Sequence, residues 1–215
     1  MSETLILYTH PMSRGRTTRW MLEETGLPYE VRILDYGSDM KSADFLAINP
    51  MGKVPALRHG EAVVTETAAI CAYLAELVPE RRLAPPEDSP ERAAYFRWLF
   101  FMAGPFEAFL TAKESSGLAD PVTAGYGTEE ALLRTMEQAV QDRTHLAGDR
   151  FTAVDLLVAA YLGYYLRIGL LESRPAFVAF AQTHLSRPAA VRAMELDNAL
   201  IPQHPNPNMP APVAA

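Results

Sequence analysis

An α/β unit followed by an all-helical unit is the fold class that the sequence predicts, and three observations predict it. Within roughly the first eighty residues, short apolar runs and helical patterns follow in the order strand, helix, strand, short helix, strand, strand, helix. The stretch Leu83 to Pro90, LAPPEDSP, then breaks the pattern with three prolines and two acids. Beyond it, every periodic segment reads as helix. The expected organisation is an α/β domain over residues 1–80, a linker over 81–89, a helical domain over 90–200 and a proline-rich tail over 201–215.

The first strand is the apolar run Thr4 to Tyr8, which stops at His10-Pro11. From Arg14 to Thr25 the pattern is helical, with Trp20, Met21 and Leu22 set among Arg16, Arg19, Glu23 and Glu24, and Gly26 is a C-cap. Tyr29 to Tyr36 alternates apolar and polar residues, which predicts a second strand. Strand, helix, strand implies a parallel pair joined by a right-handed crossover. A short helix over Ser42 to Ile48 ends at Asn49-Pro50. The stretch Gly52 to Thr67, GKVPALRHGEAVVTET, reads as a hairpin turning at Arg58 to Glu61, and a helix follows from Thr67 to Leu77 until Val78-Pro79 ends it.

In the second half, Ser89-Pro90-Glu91 combines an N-cap, a first-turn proline and an acid near the positive helix end. The aromatic helix that follows should kink or restart at Gly104-Pro105. Residues 115–127 form a loop, and Thr128 caps a helix running to Leu146. Thr152 and Asp155 head the apolar run that follows, while Ser173 and Ser186, each close to a proline, cap the last two helices. The tail carries five prolines and no hydrophobic periodicity, so it reads as extended or disordered.

Bulk composition narrows the function. The chain has 215 residues, 49% hydrophobic and 21% charged, an ordinary globular balance. A net charge of −7 argues against nucleic acid or an anionic membrane surface as partner. A single cysteine, Cys71, allows no internal disulfide and no cysteine cluster for zinc. No signal-peptide pattern and no stretch of membrane-spanning length is visible, so a cytoplasmic protein is expected.

The hairpin contains a puzzle: Val54-Pro55 puts a residue without an N–H at the mouth of a strand, where a ladder bond is lost. With NPMGKVPAL around it, Glu66-Thr67 behind it and FTAVDLLVAAYL further on, the chain resembles the glutathione S-transferases. The resemblance covers nearly everything but the tail. It implies a thioredoxin-like first domain, a helical second domain and a homodimer. It also implies a cis Val54–Pro55 bond, which proline permits at about 0.5–1 kcal/mol. The backbone of Val54 would then pair, strand-like, with the cysteinyl part of glutathione.

The same resemblance implies the rest of the site. Thr67, at a helix N-terminus, would take the γ-glutamyl carboxylate, and Glu66 the ammonium. Capping and dipole roles are equally compatible with these two residues. Lys53 is a candidate contact for the tripeptide and Lys41 for its glycyl carboxylate. The chemistry falls to HPMSRGR, between first strand and first helix, where Ser13 lines up with the serine of theta-like members. A free thiol near pKa 8.5 is only a few per cent ionised at neutral pH, so a donor must stabilise the thiolate. Ser13 is the candidate donor; Arg14 and Arg16, where the family has small residues, are candidate cations. Pro11, Met12, Phe106, Phe109 and Tyr165 are the candidate walls of an electrophile pocket. The expected reaction is attack of the glutathione thiolate on a small apolar electrophile, as in detoxification, with no metal. Glutathione-dependent isomerisation or dehalogenation, and a non-catalytic glutathione-binding module, are the alternatives.

Overall fold

The computed structural model describes residues 4–115 and 117–206. Residues 207–215 of the proline-rich tail lie outside the described residues. Two compact units emerge, one formed by Met1–Leu74 with Pro188–Ala215 and the other by Ala75–Arg187.

The first unit is built on a four-stranded sheet in the order β2-β1-β3-β4. β1 (Leu5–Thr9) runs parallel to β2 (Tyr29–Ile33), joined by α1 (Gly15–Thr25). Gly26 closes α1 in a left-handed conformation, its N–H bonded to the Leu22 carbonyl. β2 is shorter than the alternation suggested. Leu34 still donates its N–H to the Thr9 carbonyl, but the chain then leaves the sheet, so Leu34 to Tyr36 alternate without being strand. α2 (Ala43–Ile48) starts on Ser42, whose hydroxyl accepts from the Phe45 N–H. β3 (Ala56–His59) and β4 (Ala62–Thr65) form the expected antiparallel hairpin, and α3 (Thr67–Glu76) follows. Met40, Phe45 and Ala56 form a small core with Tyr8, Leu34, Tyr36, Ile48 and Val54 against it.

The second unit is helical. α4 (Glu91–Phe101) continues through a π-turn at Met102–Phe106 into α5 (Glu107–Glu114), so Gly104-Pro105 widens the helix locally. α6 (Glu129–Val140) is capped by the Thr128 hydroxyl on the Ala131 N–H. It stops six residues before Leu146, where Asp142 adopts a left-handed backbone with φ 55°. α7 (Ala153–Arg167) and α8 (Pro175–Leu185) pack against each other. Ser186 closes α8, its hydroxyl donating to the Thr183 carbonyl, and Arg174 rather than Ser173 occupies the cap before Pro175.

The last helix, α9 (Pro188–Asn198), groups with the sheet unit, not with the helical one as the sequence suggested. Charged pairs hold it along α1. Arg19 and Asp197 meet at 3.1 Å, both buried, and Arg192 reaches Glu23 at 2.7 Å. Burial pushes the Asp197 carboxyl up to about 6 while Arg19 and Arg16 pull it down. Among the described residues no helix is long and apolar enough to cross a membrane.

Candidate active site

The loop between β1 and α1 is held atom by atom. His10 is buried, and its Nδ1 accepts the Met12 N–H at 3.1 Å. Its carbonyl accepts both the N–H (3.1 Å) and the hydroxyl (2.7 Å) of Ser13. The same Ser13 oxygen accepts the Gly15 N–H at 3.0 Å. Ser13 is therefore a local cap for the turn into α1, whatever else it does. Burial lowers the pKa of His10, against the raising influence of Asp35. That neutral imidazole suits an Nδ1 acceptor and makes His10 a turn-forming residue.

Gly15 is set by close approach. A Cβ there would lie 1.7 Å from the Thr9 hydroxyl oxygen, so only glycine lets α1 start this near β1. Arg14 is half-buried, in helical conformation just ahead of α1. Arg16 bridges: Nη1 donates to the Pro11 carbonyl at 2.9 Å and Nη2 to Asn198 Oδ1 at 2.8 Å. Its guanidinium shapes the loop, a role with no local signal in the sequence. Pro11 is buried and Met12 half-buried, its carbonyl accepting the Tyr36 hydroxyl at 3.2 Å.

The second piece is the turn before β3. The Val54–Pro55 bond is cis, as the resemblance implied. Asn49 organises this turn: its side-chain amide donates to the Lys53 carbonyl at 2.8 Å, and its Oδ1 accepts the Met51 N–H at 3.1 Å. Lys41 lends its ammonium to the carbonyls of Met51 (3.0 Å) and Gly52 (3.1 Å). Lys41 therefore braces this turn from the side. Gly52 has φ +58°, and a Cβ on it would sit 2.6 Å from the Met40 carbonyl oxygen. Lys53 extends into solvent.

The third piece is the junction of β4 and α3. Glu66 is exposed and adopts φ 69°, a left-handed conformation uncommon for a residue with a side chain. Its carbonyl accepts the Ile70 N–H at 2.9 Å, and Thr67, half-buried, opens α3. Strain of this kind concentrates at functional sites.

Strand register brings the three pieces together. Tyr8 pairs with Ala56, and Ala56 with Thr65. The C-terminal end of β1, the N-terminal end of β3 and the C-terminal end of β4 therefore share one end of the sheet. The Ser13 loop, Val54 and Glu66-Thr67 all emerge there.

The aromatic candidates behave differently. Phe106 and Phe109 are fully buried and Tyr165 nearly so. Phe109 meets Tyr126 edge-on at 5.9 Å between centroids, and Tyr165 meets Tyr164 at 5.1 Å. They are core side chains without an exposed wall to offer, which corrects their reading as pocket residues. Cys71 is fully buried, and burial pushes its thiol up to about 12, so it is an inert packing residue.

In the helical unit, His145, Asp155 and His184 bring ligand-type atoms within 4.8 Å of one another. Asp155 Oδ1 accepts the Leu146 N–H (2.8 Å), and Oδ2 accepts the Thr152 N–H (2.8 Å) and hydroxyl (3.2 Å). His184 Nε2 faces the Thr144 carbonyl at 2.8 Å. This is the expected capping box of α7 extended to the preceding loop. Burial pushes Asp155 up to about 7, against these bonds and Arg187. An open depression of about 510 Å³ lies on this unit over Arg143, Thr144, His145, Gly148 and Asp149. It is lined by none of the residues at the sheet end.

Comparison with known proteins identifies the class. The N-terminal domain model of the glutathione S-transferases matches residues 12–77, and the C-terminal domain model matches residues 106–188. A glutathione S-transferase of Xanthomonas campestris is 31% identical over 196 residues, covering 84% of this chain and 92% of that protein. A glutathione transferase structure from Methylococcus capsulatus superposes with a TM-score of 0.77 at 29% identity, covering 91% of this chain and all of that one. A sphingomonad glutathione S-transferase complexed with glutathione gives a TM-score of 0.71 at 27% identity, covering 90% and 98%. The chain belongs to the glutathione S-transferase family of enzymes. Its four-stranded α/β unit and its helical unit are the fold of that family.

Proposed function

We propose that this protein binds glutathione at the shared sheet end and activates its thiol for attack on a small apolar electrophile. The observation that carries the proposal is the register Tyr8–Ala56–Thr65, which gathers the Ser13 loop, the cis-proline turn and the strained Glu66 at one place. Val54 precedes β3 and makes no backbone hydrogen bond to another described residue, so its N–H and C=O suit the cysteinyl backbone. Thr67 at the α3 N-terminus suits the γ-glutamyl carboxylate, Glu66 the ammonium and Lys53 the glycyl carboxylate. The thiol would then lie toward the Ser13 loop and the N-terminus of α1, whose dipole favours an anion.

One observation favours a second account of the activation step. The Ser13 proton already rests on the His10 carbonyl at 2.7 Å. Donation to sulfur requires that bond to be exchanged. Arg14 or an N–H of the first turn of α1 can serve if it is not. Exposed apolar side chains on each unit, Met51 and Val63 on one and Phe96 and Phe100 on the other, suit burial in a homodimer. We place the enzyme in the cytoplasm, in keeping with its one buried free cysteine.

Calorimetry with glutathione, followed by a panel of electrophiles, tests the proposal. Glu66→Gln should weaken glutathione by about 1.5–3 kcal/mol, a lost charge-assisted bond, and leave folding nearly unchanged. Unaltered affinity removes Glu66 from the site. Sedimentation should give about twice 23.7 kDa, and a monomer at micromolar concentration defeats the dimer.

A further inference from the structure

The tail was expected to be extended or disordered, yet Leu200 to Asn206 return to the loop that bears Ser13. The contact begins at the end of α9, where Asn198 Oδ1 accepts Arg16 Nη2 at 2.8 Å while Nη1 of the same guanidinium holds the Pro11 carbonyl at 2.9 Å. Leu200 then receives the N–H groups of Gln203 and His204 on its carbonyl, forming a compact turn. That turn aims His204 Nδ1 at Asp35 Oδ1, 2.8 Å away. The same carboxylate oxygen lies 3.9 Å from His10 Nε2, a through-space approach longer than a hydrogen bond, and the two imidazoles meet edge-on at 6.5 Å between centroids. His10 holds the Met12 N–H through its other nitrogen, at 3.1 Å. Finally the Asn206 N–H reaches the Met12 sulfur at 3.4 Å.

We infer that Asn198 and His204 are positioning residues for the thiol-activating loop, one acting through Arg16 on Pro11 and the other through Asp35 and His10 on Met12. Two chains of contacts thus run from the C-terminal segment to the two residues preceding Ser13. Loop geometry matters because a misplacement of about 1 Å at a reacting group costs on the order of a hundredfold in rate. A serine that exchanges its proton between the His10 carbonyl and a sulfur needs that carbonyl held still. The ion pairs of α9 with α1 at Arg19–Asp197 and Arg192–Glu23 dock the helix itself. The Arg192 pair makes no contact with the loop, which separates docking from bracing. The catalytic half of the inference rests on the proposed glutathione reading; the structural half does not.

The test compares the full-length wild type with Asn198→Ala, His204→Ala and Arg192→Ala. Hydrogen exchange at the Met12 and Ser13 amides should speed up about tenfold in the first two variants and not in the third. His204→Asn, which keeps a donor toward Asp35, should restore most of the protection. In the same variants the ultraviolet titration of bound glutathione thiol should move to higher pH, with kcat falling several-fold and KM for glutathione changing less. Exchange at Met12 and Ser13 that matches wild type in both alanine variants, or that Arg192→Ala accelerates equally, overturns the brace. Unchanged exchange overturns it even if glutathione binds normally. A wild type that binds no glutathione overturns the functional reading instead and leaves the exchange result to decide the brace.

Discussion

One polar residue from each unit, Asp155 and Glu66, makes the comparison. In the helical unit the notable polar group is Asp155, wholly buried and bonded to Thr152 and Leu146, with its unit's geometry as the only beneficiary. In the sheet unit the notable polar group stands at the surface in a costly conformation: Glu66, exposed, at φ 69°. A buried, saturated carboxylate is a stability device, because its removal leaves donors without acceptors. An exposed residue in a disfavoured conformation does little for stability and so invites a functional explanation.

The largest expected effect tests the first half of this contrast. Asp155→Ala would leave the Leu146 N–H, the Thr152 N–H and the Thr152 hydroxyl without their acceptor. At about 1–3 kcal/mol for each buried unsatisfied group, the loss should be about 4 kcal/mol. A shift of the urea midpoint measures it. A cost below about 1 kcal/mol, that of an ordinary exposed cap, would mean that Asp155 is no more a stability device than Thr128.

Ser13→Ala comes next and tests whether the sheet unit's cap is more than a cap. If the hydroxyl donates to the thiolate, the rate should fall by about 2.7–4 kcal/mol in barrier, as with other single preorganised donors. The bound thiol's pKa should rise, while glutathione affinity falls less. If Ser13 only caps, the variant loses about 1 kcal/mol of stability and the thiol titration stays where it was. Arg14→Ala is then the next variant to titrate.

How much of this could be read in the chain depended on the range of the signal. Element types were legible wherever a period of two or near four ran for a turn or more, as in Thr4 to Tyr8, Arg14 to Thr25 and the run after Asp155. The cis proline came through resemblance, because its neighbours NPMGK carry a local pattern. What escaped was either backbone conformation or long-range pairing. Alternation at Leu34 to Tyr36 continues after the strand has ended, since periodicity reports side-chain facing and not ladder bonds. The bracing of the turn by Lys41 escaped because its two carbonyl partners lie ten and eleven residues on. Asn49 could have been suspected, since asparagine before a Pro-Met-Gly turn commonly bonds nearby backbone. The grouping of α9 with α1 rests on Arg19–Asp197 and Arg192–Glu23, pairs well over 150 residues apart, for which composition holds no signal.

A pH experiment sharpens the contrast on the sheet side. Burial lowers the pKa of His10 below its ordinary value of 6.5. Below that value the unfolded chain binds a proton that the folded state resists. Stability present at neutral pH is therefore lost as pH falls from about 6.5 toward the folded pKa, with a slope of at most about 1.4 kcal/mol per unit. His10→Asn removes the titration while offering an oxygen near the position of Nδ1 for the Met12 N–H. Its denaturation midpoint should lose less between pH 6.5 and pH 5 than that of the wild type. Equal losses would show that His10 does not titrate against folding.

The smallest effect separates strain from function at Glu66. A non-glycine residue in the left-handed region costs about 1–2 kcal/mol, which glycine escapes, although glycine returns about 0.5–1 kcal/mol through the freedom of the unfolded chain. Glu66→Ala keeps the strain and loses the carboxylate; Glu66→Gly loses both. The glycine variant should therefore be the more stable of the two by about 0.5–1 kcal/mol in urea titrations, while both lose glutathione affinity alike. The helical unit supplies the control at Asp142, where φ is 55°. Asp142→Gly should gain over Asp142→Ala by a similar amount and leave glutathione binding untouched. If instead Glu66→Ala matches Glu66→Gly in stability, the left-handed turn is not strained and the inference from strain to site loses its ground. If Asp142→Ala weakens glutathione as Glu66→Ala does, positive φ does not discriminate the working end of the molecule from its scaffold.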